Sequence, residues 1–443
     1  MIGEDNCRSI LEKALDRSGG EELEAYLQVQ DLALTRFAVN SVHQNVSHSN
    51  ALLHLRAVTG QRQGRATTND LSDAGIANAV QEARSNSLLM PEDPDFPGLP
   101  DSSASARIAA YDEATGQCSP ELRAQIVEQV CRRAEAQNLT VAGFCRTGTQ
   151  EIAVMSTRSV TAYHRSSFAG LLTTATGDTS TGWSKGGSWR LADLDVASLA
   201  EEAIDKTLRG RNPRPIEPGE YSVVLDAYAV DDIVGALSDY GMGAQTVQEG
   251  RSWMNGLMGE QAMSPQVSIW DDGTDPTGWP VPFDAEGVPR QRVDIVTEGV
   301  VREPVHNSYT AGKEGKLSTG HQASFTGGPT ANNLFMKEGQ HTLEQMIGSL
   351  QRGLYITRFF YTRLVHSRGC VMTGMTRDGT FLIENGQLSY PVKDLRFTQS
   401  YVEALNRVEA IGSQSKLLLN EGSSCTRVPA LQVSGFNFTG VTV

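Results

Sequence analysis

An α+β protein of two domains is what this sequence predicts, and three observations lead there. Residues 24–68 alternate apolar and polar side chains, as at Leu53, Leu55 and Ala57, the period of a half-buried strand. Elsewhere apolar residues return every three or four positions, as at Val230, Ile233, Val234 and Leu237, the period of an amphipathic helix. Between 211 and 219 stand Pro213, Pro215 and Pro218, which remove backbone donors and force an extended chain, so a boundary belongs there. At 443 residues the chain also exceeds what one core usually serves. The division is an N-terminal α+β domain over 1–210, a linker over 211–219 and a mainly β C-terminal domain over 220–443.

Cys7, Ile10, Leu11, Ala14 and Leu15 mark an opening helix, and the alternation from 24 to 68, broken at Thr59 and Gly60, marks antiparallel strands. Ile76, Val80 and Ala83 suggest a second helix, and the proline-rich stretch 91–100 a surface loop. Ser119 as cap with Pro120 at the first helical position starts a third helix, with Leu122, Ile126, Val127 and Val130 as its apolar face. Strands follow over 141–147, 151–157 and 159–174, then a Gly/Ser/Thr-rich loop over 177–187 and a helix over 194–208. In the second half, 221–225 reads as a buried strand leading into the helix at Val230. Leu343, Met346, Ile347 and Leu350 suggest another helix, and Asn385-Gly386 the type I′ turn of a hairpin.

Composition narrows the function classes. Hydrophobic content of 39% and charged content of 20% describe a soluble chain, and no apolar run reaches the roughly 18 residues of a spanning helix. The acidic N-terminus lacks the basic-then-apolar order of an export signal, so a cytoplasmic location is expected. A net charge of −14 opposes binding to a phosphate backbone. The six cysteines are scattered without a C-x-x-C pair and read as free thiols. No G-x-S-x-G elbow is present, residues 241–246 lack the third glycine of a dinucleotide loop, and the glycines near Lys313 and Lys316 lack Walker spacing. The five tryptophans are not spaced as a stacking platform.

The strand-then-helix at 221–237, with WDDGTDP at 270–276 and PFDAEGVPRQ at 282–291, resembles the TldD/PmbA (TldE) peptidase family. The likeness runs on through 35–44, 309–320, 332–353, 380–397 and 428–440. In TldD-type members the matching helix carries a His-Glu-x-x-x-His motif that holds zinc. Here the histidine positions fall near Gly235 and Tyr240 and the glutamate near Ala236. Glycine has no side chain, and neutral tyrosine is a poor zinc ligand. The resemblance therefore implies a metal-free, TldE/PmbA-like subunit with no catalytic residue of its own. It implies a zinc-bearing TldD-like partner and a chamber for short or unfolded peptides, including modified-peptide precursors, with a homodimer possible when the chain is alone. Two other readings stay open. One is a stand-alone hydrolase-like enzyme of natural-product maturation, acting through Tyr240, Cys425 and Asp272; the other is a homodimeric peptide-binding scaffold.

The remaining candidates weigh towards structure. His43 and His48 share the motif's five-residue offset, but in a strand an odd separation sends the rings to opposite faces. Cys425 lies in the C-terminal stretch where TldD-type members supply a third zinc ligand; one soft ligand cannot hold zinc, and a buried thiol is the expected role. Asp271, Asp272, Asp275, Asp284 and Glu286 sit among glycines and prolines, where aspartate caps turns. The resemblance adds a possible chamber contact for Asp272 and for Cys425.

Overall fold

The structure, a computed structural model, describes residues 1–420 and 424–441. Its first half contains β1 (Glu22–Ala38), β2 (Ser41–Thr59), β3 (Arg62–Thr68), β4 (Thr140–Ser156), β5 (Thr161–Thr176) and β6 (Thr181–Ser188). These form one antiparallel sheet in the order β3-β2-β1-β4-β5-β6. The helices are α1 (Glu4–Leu15), α2 (Asp73–Leu89), α3 (Glu113–Gly116), α4 (Pro120–Glu135) and α5 (Val196–Arg209).

Period-2 alternation decides what each sheet face meets. Odd-numbered residues of β1 and β4, among them Leu23, Leu27 and Ala153, pack with α1 and α2, while Val141 and Cys145 pack with α4 and α5. Even-numbered Ile152 and Val154 face the other way, onto Val281 and Phe283 of the second half. The sheet is thus buried on both faces at its centre.

Three expectations need correction here. The strands expected over 141–147 and 151–157 are one continuous strand, β4, which ends at Ser156, and the Gly/Ser/Thr-rich stretch read as a loop holds most of β6. The glycines misled because they serve packing: a side chain at Gly182 would lie 2.1 Å from the Ala203 carbonyl of α5. On α4 the expected apolar Leu122 is 41% exposed, and the fully buried neighbour is Arg123, which donates to Cys118 O, Thr147 Oγ1 and Thr35 Oγ1.

The second half holds β7 (Gly219–Leu225), β8 (Ile269–Asp271), β9 (Val293–Thr297), β10 (Val300–Val301), β11 (Asn333–Met336) and β12 (Arg352–His366). It continues with β13 (Val371–Glu384), β14 (Gln387–Pro391), β15 (Leu395–Ser400), β16 (Val408–Leu419) and β17 (Cys425–Val441). Its helices are α6 (Ala227–Leu237), α7 (Ala244–Gln248), α8 (Ser308–Lys313), α9 (Leu343–Ser349) and α10 (Tyr401–Asn406). The sheet is mixed, because β7 runs parallel to β12 and β11 parallel to β17. Since β7 pairs with β17 as well, β7, β12, β13, β15 and β17 close into a ring. Phe359, Phe397, Tyr401 and Phe436 cluster in contact there, Phe359 and Phe397 with ring centres 4.5 Å apart, and α6 packs against β12 and β17. Asn385 and Gly386 take φ of 52° and 75°, the left-handed pair of a type I′ turn joining β13 to β14. No helix among the described residues is long and apolar enough to cross a membrane.

Candidate functional site

The site is built on α6. Asp226 precedes the helix, and its carboxylate accepts from Tyr355 (2.6 Å) and pairs with Lys206 of α5 (3.1 Å). Burial alone would raise that carboxyl, but Lys206, Lys416 and Tyr355 hold it well below the usual range. The helix thus begins on an ion pair linking the two halves of the chain.

Two acids follow on an otherwise apolar helix. Asp232 accepts from Tyr401 (2.6 Å) and Thr362 (2.8 Å), and burial pushes its carboxyl up to about 6. Asp231 is also raised by burial, with Lys185 opposing and Thr426 and Asn420 hydrogen-bonded to it. Sequence reasoning passed over both acids, although adjacent carboxylates on an apolar helix were a legible signal.

One turn beyond Asp231 comes Gly235, where a side chain would project into open space. Ala236 is 7% exposed and turned into the core. After Leu237 the chain winds into a π turn, Ser238–Met242, which carries Tyr240 half-buried against the core. In an α-helix, residues five apart lie about 140° apart and cannot share a ligand. A π turn rotates less per residue and brings such a pair towards one face. Gly235 lies at the end of α6 and Tyr240 in the π turn that follows, and neither carries a side chain of the motif. Side chains hold the turn: Trp253 Nε1 donates to the Leu237 carbonyl (2.8 Å), Ser252 to Gly241 (2.6 Å) and Ser238 to Ala331 (2.5 Å). Gly241 is obligatory, because any side chain there would lie 2.0 Å from the Trp253 ring.

Cys425 begins β17, next to Thr426, which bonds Asp231 on α6. Neighbouring strand residues point to opposite faces, so Cys425 turns away from α6. Its sulfur accepts the Trp279 N–H (3.3 Å) among Phe168, Trp279 and Leu419, and burial pushes the thiol up to about 12. Asp272 accepts from Thr274 N (2.8 Å) and Thr274 Oγ1 (2.6 Å), a turn closed by its own side chain. Asp284 caps likewise, accepting the backbone N–H groups of Glu286, Val288 and Gln322. β11 stands between Cys425 and Asp272, whose amides donate to Asn332 and Asn333 respectively. His43 and His48 are exposed on β2. A fully buried pair, His321 Nε2 to Asp271 Oδ1 at 2.9 Å, was not foreseen, since many residues separate its members in sequence. Among the described residues no three His, Cys, Asp or Glu side chains are grouped so as to hold a metal ion.

Residues 218–440 match the family model described as the PmbA/TldA metallopeptidase C-terminal domain, and residues 23–87 match domain 1 of the same family. The chain belongs to the PmbA/TldD family. Within it, the metalloprotease PmbA of Escherichia coli O157:H7 is 22% identical over 453 residues, 98% of this chain and 96% of that protein. A metalloprotease of Methanothermobacter thermautotrophicus is 25% identical over 235 residues, so that the chain spans about half the length (51%) of this curated relative. The fold is shared with TldE of Thermococcus kodakarensis at a TM-score of 0.86 and 19% identity, over 98% of this chain and 99% of that one. PmbA/TldD proteins thus supply both the sequence relatives and the architecture.

Proposed function

We propose that this PmbA/TldD-family chain is a metal-free, TldE/PmbA-like subunit that joins a zinc-bearing TldD-like peptidase and helps enclose a chamber for short or unfolded peptides. The observation that carries the reading is α6: Gly235 and Ala236 offer no donor where the family motif has His and Glu, and Tyr240 offers only a phenol hydroxyl. Cys425 does not compensate, because its thiol is buried, neutral and turned to the far face of β17. These residues do not fit a zinc ion, and no hydrolytic step runs through this chain. Its contribution is enclosure and selection, since a closed chamber excludes folded proteins by size. Among the described residues no helix is long and apolar enough to cross a membrane, and the free thiols suit a cytoplasmic setting.

The test is metal analysis and peptide cleavage on the purified chain, alone and mixed with a TldD-like subunit. Bound zinc far below one per chain, with chelator-sensitive cleavage only in the mixture, is the expected result. Chelator-sensitive cleavage by the chain alone would overturn the reading.

A further inference from the structure

Residues 345–377 contain no Asp, Glu or Lys, although the chain holds 52 acidic residues and a net charge of −14. Four of the five arginines in that stretch, Arg358, Arg363, Arg368 and Arg377, belong to the turn end of the β12–β13 hairpin. Arg358 and Arg377 stand directly opposite each other, where like charges repel. Aromatic faces hold them there: the Phe360 ring centre lies 5.3 and 4.6 Å from their guanidinium carbons, and the Trp183 ring of β6 lies 4.7 Å from Arg358. Arg363 stacks on Tyr361 at 4.3 Å, and the Phe360 and Tyr361 rings lie 6.2 Å apart, so these groups form one surface. Asp378 pairs with Arg358 (2.7 Å), but among the described residues no carboxylate lies within 4 Å of Arg363 or Arg368. The same surface is partly apolar, with Phe360, Tyr361 and Val365 36%, 62% and 58% exposed. Tyr361 takes φ of 56° in a bulge of β12, a left-handed conformation rare for a bulky residue. Thr362, in the same bulge, donates to Asp232 of α6 at 2.8 Å, so the patch borders that helix.

We propose that this end of the hairpin binds an extended acidic peptide segment, its carboxylates meeting Arg363, Arg368 and Arg377 and its apolar side chains covering Phe360, Tyr361 and Val365. The choice of occupant follows from charge and shape. Every cation here is arginine, and a stacked guanidinium keeps its N–H edge free for both oxygens of a carboxylate. Arginine and aromatic side chains also carry much of the energy of protein recognition. A nucleic acid fits less well. Asp378 and Asp394 border the arginines, and the acidic body beyond them repels a continuous phosphate backbone. A short acidic run with neutral flanks meets no such barrier. The inference deepens the proposed function and rests on its peptide chamber for the occupant. Its test reads binding to this chain alone, without cleavage, so it can fail while the metal-free reading stands.

Fluorescence anisotropy on the purified full chain tests it, with a short labelled peptide that alternates Glu with Ala and Leu. The parent is expected to bind this peptide saturably, more weakly as salt rises, and to leave the same peptide with Lys in place of Glu unbound. Arg363→Gln/Arg368→Gln should bind it roughly tenfold more weakly, as befits two lost charge-assisted contacts. The control Arg107→Gln/Arg132→Gln, at side chains 91% and 74% exposed elsewhere, should bind as the parent does. Each double variant takes the net charge from −14 to −16, so overall charge cannot separate the two. Equal affinity in the two variants at equal melting temperature, or equal binding of the Lys peptide by the parent, overturns the proposal. So does a parent that shows no saturable binding, or one that binds oligothymidylate more tightly than the acidic peptide, which would make nucleic acid the occupant.

Discussion

Asp232 illustrates how a single side chain ties this site to pH. Its ordinary value is 3.8 and burial raises it to about 6, so the folded state binds a proton that the unfolded state has released. The sign follows: this group supports folding at low pH, and that support is lost as pH rises through about 6. Replacing Asp232→Asn keeps a carbonyl acceptor for Tyr401 or Thr362 and removes the ionisation. The variant should lack the fall in stability between pH 4 and 6 that this group contributes, worth up to about 3 kcal/mol, as read by urea unfolding along a pH series. At Cys425 a different outcome is expected. Cys425→Ala removes a buried thiol, which should lower stability by roughly 1 kcal/mol and leave peptidase activity of the mixed complex within twofold of the parent. A large loss of activity at unchanged stability would make Cys425 a chamber residue after all.

At the scale of elements, α6 and its π turn separate scaffold from chemistry. The turn is held by Trp253, Ser252 and Ser238, its lesser rotation per residue should bring positions 235 and 240 towards one face, and open space lies beside Gly235. Gly235→His/Tyr240→His should therefore create a two-histidine site that binds zinc or nickel at least tenfold more tightly than the parent, measured by calorimetry. If the turn did not place these positions together, the affinity would not change. Elements also show what can be read without a structure. The start of α4 was legible because Ser119 and Pro120 act locally, and Ser119 does accept from Leu122 N. The 385–386 hairpin was legible for the same reason. β6 was not, because its glycines answer to α5, an element that local pattern cannot see. The π turn was hidden likewise, since its supports come from residues 252, 253 and 331.

Across the whole molecule, buried ions hold the two halves together. Arg56 of β2 bridges Glu24 of β1 (2.8 Å) and Glu286 of the second half (3.1 Å), all three almost inaccessible to water. Removing the cation leaves two carboxyls buried side by side, a loss of about 3–5 kcal/mol. Arg56→Leu should lower the melting temperature markedly at pH 7, and the defect should shrink as acid neutralises the carboxyls. Calorimetry at pH 7 and pH 5 checks this.

By itself the sequence determined the α+β class, most element positions and the replacement of His, Glu and His by Gly235, Ala236 and Tyr240 on the motif helix. Those properties depend on local period, capping and residue type, which neighbours in the chain decide. Only the tertiary structure decided that Cys425 faces away from α6, that burial raises the Asp232 carboxyl to about 6 and that β7 closes a ring. Each of these depends on which surface covers a residue, and burial is set by segments far apart in the chain.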